Sequence, residues 1–310
     1  MTIVFITAAR QMPRKPSRKN VCIFRQRMKI TRRHVKDKHG SRRKELDMKE
    51  NNAMEYIASF SGGKDSTATI ILAHEHNEPL DLIIFSEVMF DENISGELPE
   101  HISFIKEKCI PLFASWGYKT EILHAKANYM DCFNHIVTRS KVPERNGKKQ
   151  GFPMAGRCTI NDRCKIKPIK DFFKEKDPEC VTQYIGIAID EPKRLERLKN
   201  KKPTRISLLE KYGYTEKMAF ELCEKYGLLS PIYDFAPRGG CWFCPNARYF
   251  ELKHLRTHHR DLWDKLLGLE QQDNIVGNKW NTLTGRTMAD NEEMFYWEDA
   301  QLTIFDLLED

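Results

Sequence analysis

No run of apolar residues in this 310-residue chain reaches the ~18 that a membrane-spanning helix requires, so no membrane partner is expected. The opening MTIVFITAAR is shorter than the apolar region of a secretion signal and runs straight into basic sequence. Without such a signal, nine cysteines argue against a disulfide scaffold and for a reducing, cytoplasmic compartment. Internal repeats are lacking, which excludes solenoids and propellers. A charged fraction of 31% and a mean hydropathy of -0.60 describe a water-soluble chain.

The net charge of +7 is unevenly spread. Residues 1–50 carry 16 Lys and Arg against 4 Asp and Glu, leaving 35 against 40 for the other 260. The basic character belongs to an arm, and the body is mildly acidic. The arm shows neither helical nor strand periodicity and reads as disordered. One reading is an arm that attracts phosphate backbones; the other is a tail outside the fold, or upstream sequence ahead of a start at Met48 or Met54. The second reading is preferred, because basic runs are weak motifs.

From residue 55 short apolar runs alternate with amphipathic segments. YIASF, LDLIIFSEVMF, YKTEILHAK and VTQYIGIAID read as strands. DSTATIILAHEH, LPEHISFIKEKCIPLFASWG and IKPIKDFFKEK read as helices, with Pro111 as a kink and Gly117 as a stop. This alternation predicts an α/β fold, a parallel sheet with helices on both faces. Beyond the lysine-rich stretch 199–205 the pattern turns helical and loop-rich. The expected organisation is an arm (1–50), a nucleotide-binding domain (51–200) and a helical C-terminal region (201–310). In the latter, Leu252, Leu255, Leu262, Trp263, Leu266 and Leu269 share one face of a long helix.

The strand YIASF ends in Ser61-Gly62-Gly63-Lys64-Asp65-Ser66 and feeds a helix. Glycines let backbone N–H groups approach an anion, and a helix N-terminus adds partial positive charge. Lys64 supplies a cation, while Ser61 and Ser66 supply hydroxyls. Asp65 would repel a phosphate unless a cation intervened, which points to a Mg²⁺ ligand or to a structural role at the turn.

SGGKDS resembles the PP-loop of the N-type ATP pyrophosphatases, of the adenine nucleotide alpha hydrolase superfamily. Further residues resemble its phosphoadenosine phosphosulfate (PAPS) reductase branch. In FDENISGELPEH these are Asp91, Gly96, Glu97 and Pro99; in GRCTINDRCKIKPI they are Arg157, Cys158, Thr159, Lys165 and Pro168. In GIAIDEPKRL they are Gly186, Glu191 and Arg194. The resemblance covers residues 55–240 and implies a Rossmann-like fold, ATP and Mg²⁺. It makes Lys64, Asp65 and Cys158 catalytic, and assigns the substrate to Asp91, Glu97, Arg157, Lys165, Gly186, Glu191 and Arg194. Two departures matter. Ala188 stands where the family often has Arg, and no Glu-Cys-Gly-x-His segment, carrier of the reductases' nucleophilic cysteine, is found near the C-terminus.

RGGCWFCPNA sets Cys241 and Cys244 two residues apart on a glycine-led turn, half of a metal site. Cys158 and Cys164 would supply the other half. Four thiolates suit tetrahedral Zn²⁺ or a [4Fe–4S] cluster; the cluster is preferred, since thiolation enzymes with this loop carry one. Free thiols and a Cys241–Cys244 disulfide remain the alternatives. Cys22, Cys109, Cys132, Cys180 and Cys223 read as ordinary thiols. His254 and His258, at i and i+4, read as part of an exposed basic face.

The expected activity is adenylation of an acceptor with release of pyrophosphate, followed by sulfur transfer. Compatible partners are a sulfur-donor protein, a tRNA or DNA acceptor, and further copies of the chain in a homo-oligomer. The rivals are a PAPS or adenylyl sulfate reductase or sulfate-activating enzyme, and a non-catalytic nucleotide- and nucleic-acid-binding module.

Overall fold

The computed structural model describes residues 53–156 and 158–306. The basic arm and Arg157 therefore lie outside the described residues. Among the described residues seven strands are present: β1 (Glu55–Phe60), β2 (Leu82–Glu87), β3 (Lys119–His124), β4 (Lys149–Gly151), β5 (Val181–Ile185), β6 (Thr204–Ile206) and β7 (Ile275–Gly277). Five form one parallel sheet in the order β3-β2-β1-β5-β6, and β4 and β7 pair separately, also in parallel. β1 is central: Ser59 stands opposite Ile84 on one side and Ile185 on the other.

Successive strand residues point to opposite faces, so a sheet covered on both sides needs apolar residues at nearly every position. Ala58, Phe60, Ile83 and Phe85 pack under the helix Lys64–Glu75. Ile57, Leu82, Ile84 and Val181 meet Ile169, Phe172 and Phe173 of the helix Lys167–Lys174 on the reverse face. The fold is thus an α/β, Rossmann-like sheet with helices on both faces.

Both long connections contain a widened helical turn just before a proline. Residues 104–109 and 161–166 are π-helical, and Pro111 and Pro168 follow by two residues. Proline lacks an N–H and its ring crowds the preceding turn; a wider turn relieves both problems without ending the helix. The kink expected at Pro111 takes this form. Gly117 closes the first of these runs at φ +93°.

The boundary expected at residue 200 falls inside the sheet. β6, at 204–206, pairs with β5, and Ala219, Leu222 and Cys223 of the helix Glu216–Lys225 share a core with Ile70 and Leu72. The six apolar residues expected on one helical face are all buried. They meet Val88, Phe90, Tyr129, Phe133, Phe152 and Ile160, which connect the strands of the sheet, in a second core. The described residues accordingly form one compact unit. No helix among the described residues is long and apolar enough to cross a membrane.

Candidate functional site

From β1 the chain winds outward through β2 to β3, then returns to place β5 on the opposite side of β1. In open parallel sheets the crevice beyond the carboxyl ends of the strands, where winding reverses, is the place for a ligand. The turn 61–66 leaves β1 at that point. Gly62 has φ +72°, and a Cβ there would stand 2.5 Å from His101 Cε1. Gly63 caps the helix Lys64–Glu75 with extended geometry. The Ser66 hydroxyl donates to the Gly63 carbonyl at 2.9 Å and accepts from the Ser61 N–H at 3.2 Å, closing the turn on itself. Gly186, just past β5, presses its backbone on the turn: a Cβ there would lie 2.5 Å from the Asp65 carbonyl carbon and 2.6 Å from the Ser66 nitrogen.

Charge concentrates at the same place. Lys64 Nζ lies 2.9 Å from Glu216 and 3.2 Å from Asp65. Burial alone would lower the lysine's pKa, but the two carboxylates outweigh it and raise it. Asp65 is pushed up from the usual carboxylate range, chiefly by burial and further by Glu216 and Glu191. Glu191 bonds Arg194 through Oε1. Asp65 Oδ1 and Glu191 Oε2 are both buried without a hydrogen-bond partner. Two such oxygens on neighbouring acids favour a cation, since unsatisfied buried carboxylate lone pairs are costly.

A ring of residues that no sequence motif marks holds the turn in place. Tyr233 accepts from the Lys64 N–H at 2.8 Å. The Cys223 thiol donates to the Lys64 carbonyl. His101, almost fully buried, lies 3.0 Å from the Ser61 carbonyl through Nε2 and 2.7 Å from the Ser230 hydroxyl through Nδ1. A carbonyl only accepts, so Nε2 carries the proton and the neutral ring accepts from Ser230 through Nδ1. Burial depresses the His101 pKa. The neutral ring therefore stabilises the fold above the ordinary imidazole value of about 6.5, and that contribution is lost as pH falls below it. Thermal melts between pH 7 and 5 should show a declining Tm in the native chain. In His101→Gln the Tm should start lower and decline less; equal slopes would remove His101 from this role.

The acidic segment after β2 does not reach the turn with all its charges. Asp91 Oδ1 accepts from the N–H groups of Asn93 and Ile94, both at 2.8 Å, and so shapes its own loop. Glu97 is buried, its Oε1 is 3.8 Å from Lys165 Nζ, and its backbone bridges to Cys241. The Glu97 carboxylate raises the Lys165 pKa. Gly96 lies against Phe243 and Val88, and its carbonyl accepts from the Trp242 N–H. The segment thus docks directly on the Cys-x-x-Cys turn.

Cys158, Cys241 and Cys244 are near enough to influence one another electrostatically. Burial first, then the Glu97 carboxylate, pushes the Cys241 thiol up; burial does the same for Cys244. Both are protonated at neutral pH and weak nucleophiles unless a metal displaces the proton. Cys164, also in this neighbourhood, has its sulfur 3.9 Å from that of Cys132, a residue read from sequence as an ordinary thiol. Among the described residues no three of these sulfurs lie within 4.8 Å of one another.

An open cleft of about 820 Å³ begins at Lys64 and is walled by Phe220, Tyr233, Phe235, Phe250 and His254. Aromatic walls with a few polar groups suit a planar ligand.

No family model matches the chain. It is 24% identical over 260 residues to an uncharacterized protein of Methanocaldococcus jannaschii. That alignment takes in 77% of the chain and 54% of the other protein, so the chain spans about half the length of this curated relative. Among solved structures it is similar to the U34-tRNA thiolase NcsA from Methanococcus maripaludis with its [4Fe–4S] cluster. The TM-score is 0.38 at 15% identity, over 71% of this chain and 72% of that one.

Proposed function

We propose that the chain binds ATP at residues 61–66, cleaves it between the α- and β-phosphates, and so adenylates an acceptor that then receives sulfur. The observation that carries this reading is the Ser-Gly-Gly-Lys-Asp-Ser turn at the reversal point of the sheet, with two unpartnered carboxylate oxygens beside it. An acceptor oxygen attacks the α-phosphorus, the bond to the bridging oxygen breaks, and pyrophosphate leaves. Backbone N–H groups at the start of the helix and Lys64 stabilise the charge that builds on the phosphoryl oxygens. Asp65 and Glu191 fit Mg²⁺ and would hold it there, where the ion supplies neutralisation of the triphosphate. Arg194 and Lys165 are the cations proposed for anionic parts of the substrate, with Arg157 of the same motif.

In the second step a sulfur nucleophile takes the place of the adenylated oxygen and AMP departs with the bonding electrons. Cys158, Cys241 and Cys244, with Cys164, are the proposed holders of a [4Fe–4S] cluster or Zn²⁺. Thiols in one neighbourhood fit such a group in donor chemistry, and when bound it would supply a site for sulfur. The aromatic cleft beside Lys64 supports a base of tRNA or DNA as acceptor, because unpaired bases stack on such walls.

Incubation with ATP, Mg²⁺, bulk tRNA or DNA as acceptor and sulfide as sulfur source should give AMP and pyrophosphate in equal amounts, read by nucleotide chromatography and a pyrophosphate assay. ADP with orthophosphate would overturn the reading. Thiol-dependent sulfite release from PAPS would replace it with the reductase reading.

A further inference from the structure

Glu100, His254 and His259 converge at a place that the sequence motifs leave aside. Nε2 of His254 lies 2.8 Å, and Nε2 of His259 2.7 Å, from the same oxygen, Glu100 Oε1. Among the described residues this is the one group of three or more metal-capable side chains whose ligand atoms all lie within 4.8 Å of one another. The second oxygen, Glu100 Oε2, is buried without a partner.

The convergence is a product of the fold. Glu100 lies in the first turn of the helix Pro99–Ser103. The single long helix expected over 247–272 is in fact two, Tyr249–His258 and Arg260–Glu270, with His259 at the break (φ -134°, ψ 59°). His258, the i+4 residue on the same helix, stacks on the His254 ring with centroids 4.3 Å apart but stays exposed, while the break turns the His259 ring to the carboxylate. Phe235 stacks on the His254 ring, centroids 3.6 Å apart and planes 4° apart, which fixes the ring's orientation.

We propose that Glu100, His254 and His259 bind one first-row divalent metal ion of the zinc or cobalt class, at a site separate from both the glycine turn and the cysteines. Two imidazole nitrogens and a carboxylate oxygen are a common three-residue donor set for such ions, and they leave a fourth position open. Bonds of about 2.0–2.1 Å in a tetrahedral site set ligand atoms about 3.3 Å apart. Each histidine nitrogen therefore needs to move from the Glu100 oxygen by only about half an ångström, within the reach of side-chain rotation. A hydrogen-bonded His–Glu–His cluster uses one carboxylate oxygen twice and leaves the other dry; a cation engages the carboxylate as a whole. His254 also walls the cleft that begins at Lys64, so the open position belongs to the region where a substrate would enter.

The test is titration of the full chain, stripped with a chelator under anaerobic conditions, with Co²⁺ alone. An ion taken up at the cysteines would show thiolate-to-cobalt charge transfer in the near ultraviolet; one further equivalent should bind with weak visible bands and no such charge transfer. That signal should persist in Cys241→Ser/Cys244→Ser and in His258→Gln. Glu100→Gln and His259→Gln should weaken binding by more than about 100-fold, beyond what changes outside the ligand shell cost, with unchanged circular dichroism. As a check that needs no variant, Co²⁺ should protect His254 and His259, but not His124, from acylation in the native chain. Absence of Co²⁺ binding, binding that shows only thiolate bands, or failure of Co²⁺ to protect the two histidines would overturn the proposal.

Discussion

Asp65→Asn is expected to lower pyrophosphate release from ATP by about 100- to 1,000-fold, the range for loss of one group that stabilises developing charge, while leaving the fold as stable as before or more so. The two halves of this result have one cause. Burial raises the Asp65 pKa, so the ionised carboxylate is a cost to the folded state. The sign follows: stability from this group is present below the ordinary carboxylate value and is lost as pH rises through the higher folded value. At neutral pH the amide removes that cost. It also removes the charge that would hold Mg²⁺, and Lys64 keeps Glu216 as its partner. Sites kept for chemistry are often unfavourable for stability. Steady-state pyrophosphate assays beside thermal melts give both numbers. A variant with native turnover would remove Asp65 from the chemistry.

Gly186→Ala is expected to destabilise the protein by about 1–3 kcal/mol, the usual cost of forcing an extra carbon into packed structure, and to weaken ATP binding at the same time. The added methyl would stand 2.5–2.6 Å from the carbonyl carbon and oxygen of Asp65 and the nitrogen of Ser66. These are backbone atoms, so no side-chain rotation relieves the clash, and the turn after β1 must move away from β5. Gly63→Ala is the control. Its Cβ would meet only the Ser61 and Tyr233 hydroxyls, at 3.5 Å, so its melting point should change little. Urea unfolding and ATP titration measure the two effects. A Gly186→Ala chain with native stability and native ATP affinity would mean that β5 does not brace the turn.

The glycine turn, the strand before it and the helix after it are contiguous, so punctuation by glycine and a switch from strand to helix periodicity mark them in the sequence. Asp91 and Glu97 lie in one short acidic segment, yet the structure gives them different surroundings. Asp91 ties down its own loop, and Glu97 is buried beside Lys165 and Cys241. Residue type and spacing were the same kind of signal for both; the path of the loop separated them. Ala188 is fully buried in the core of the sheet.

The braces of the turn were beyond sequence reasoning for a different reason. His101, Glu216 and Tyr233 meet residues 61–64 across separations of 40, 152 and 169 residues. A hydrophobic pattern tells which face of an element is buried and says nothing about which element covers it. The same holds for Cys132, which meets Cys164 from 32 residues away, and for His259, whose ring is aimed by a helix break that the apolar pattern runs through without interruption.

The sequence by itself determined the alternation of strands and helices, and with it a parallel sheet covered on both faces. It also determined the glycine turn 61–66 between a strand and a helix, because backbone conformation and helix dipole are set by adjacent residues. Only the tertiary structure decided that residues 204–228 complete that sheet and its core, that Asp65 and Glu191, close enough to interact electrostatically, each present an unsatisfied oxygen, and that Glu100 gathers two histidines. Those outcomes depend on which surfaces meet when the apolar faces are buried, and burial is a property of the whole packed chain rather than of any segment.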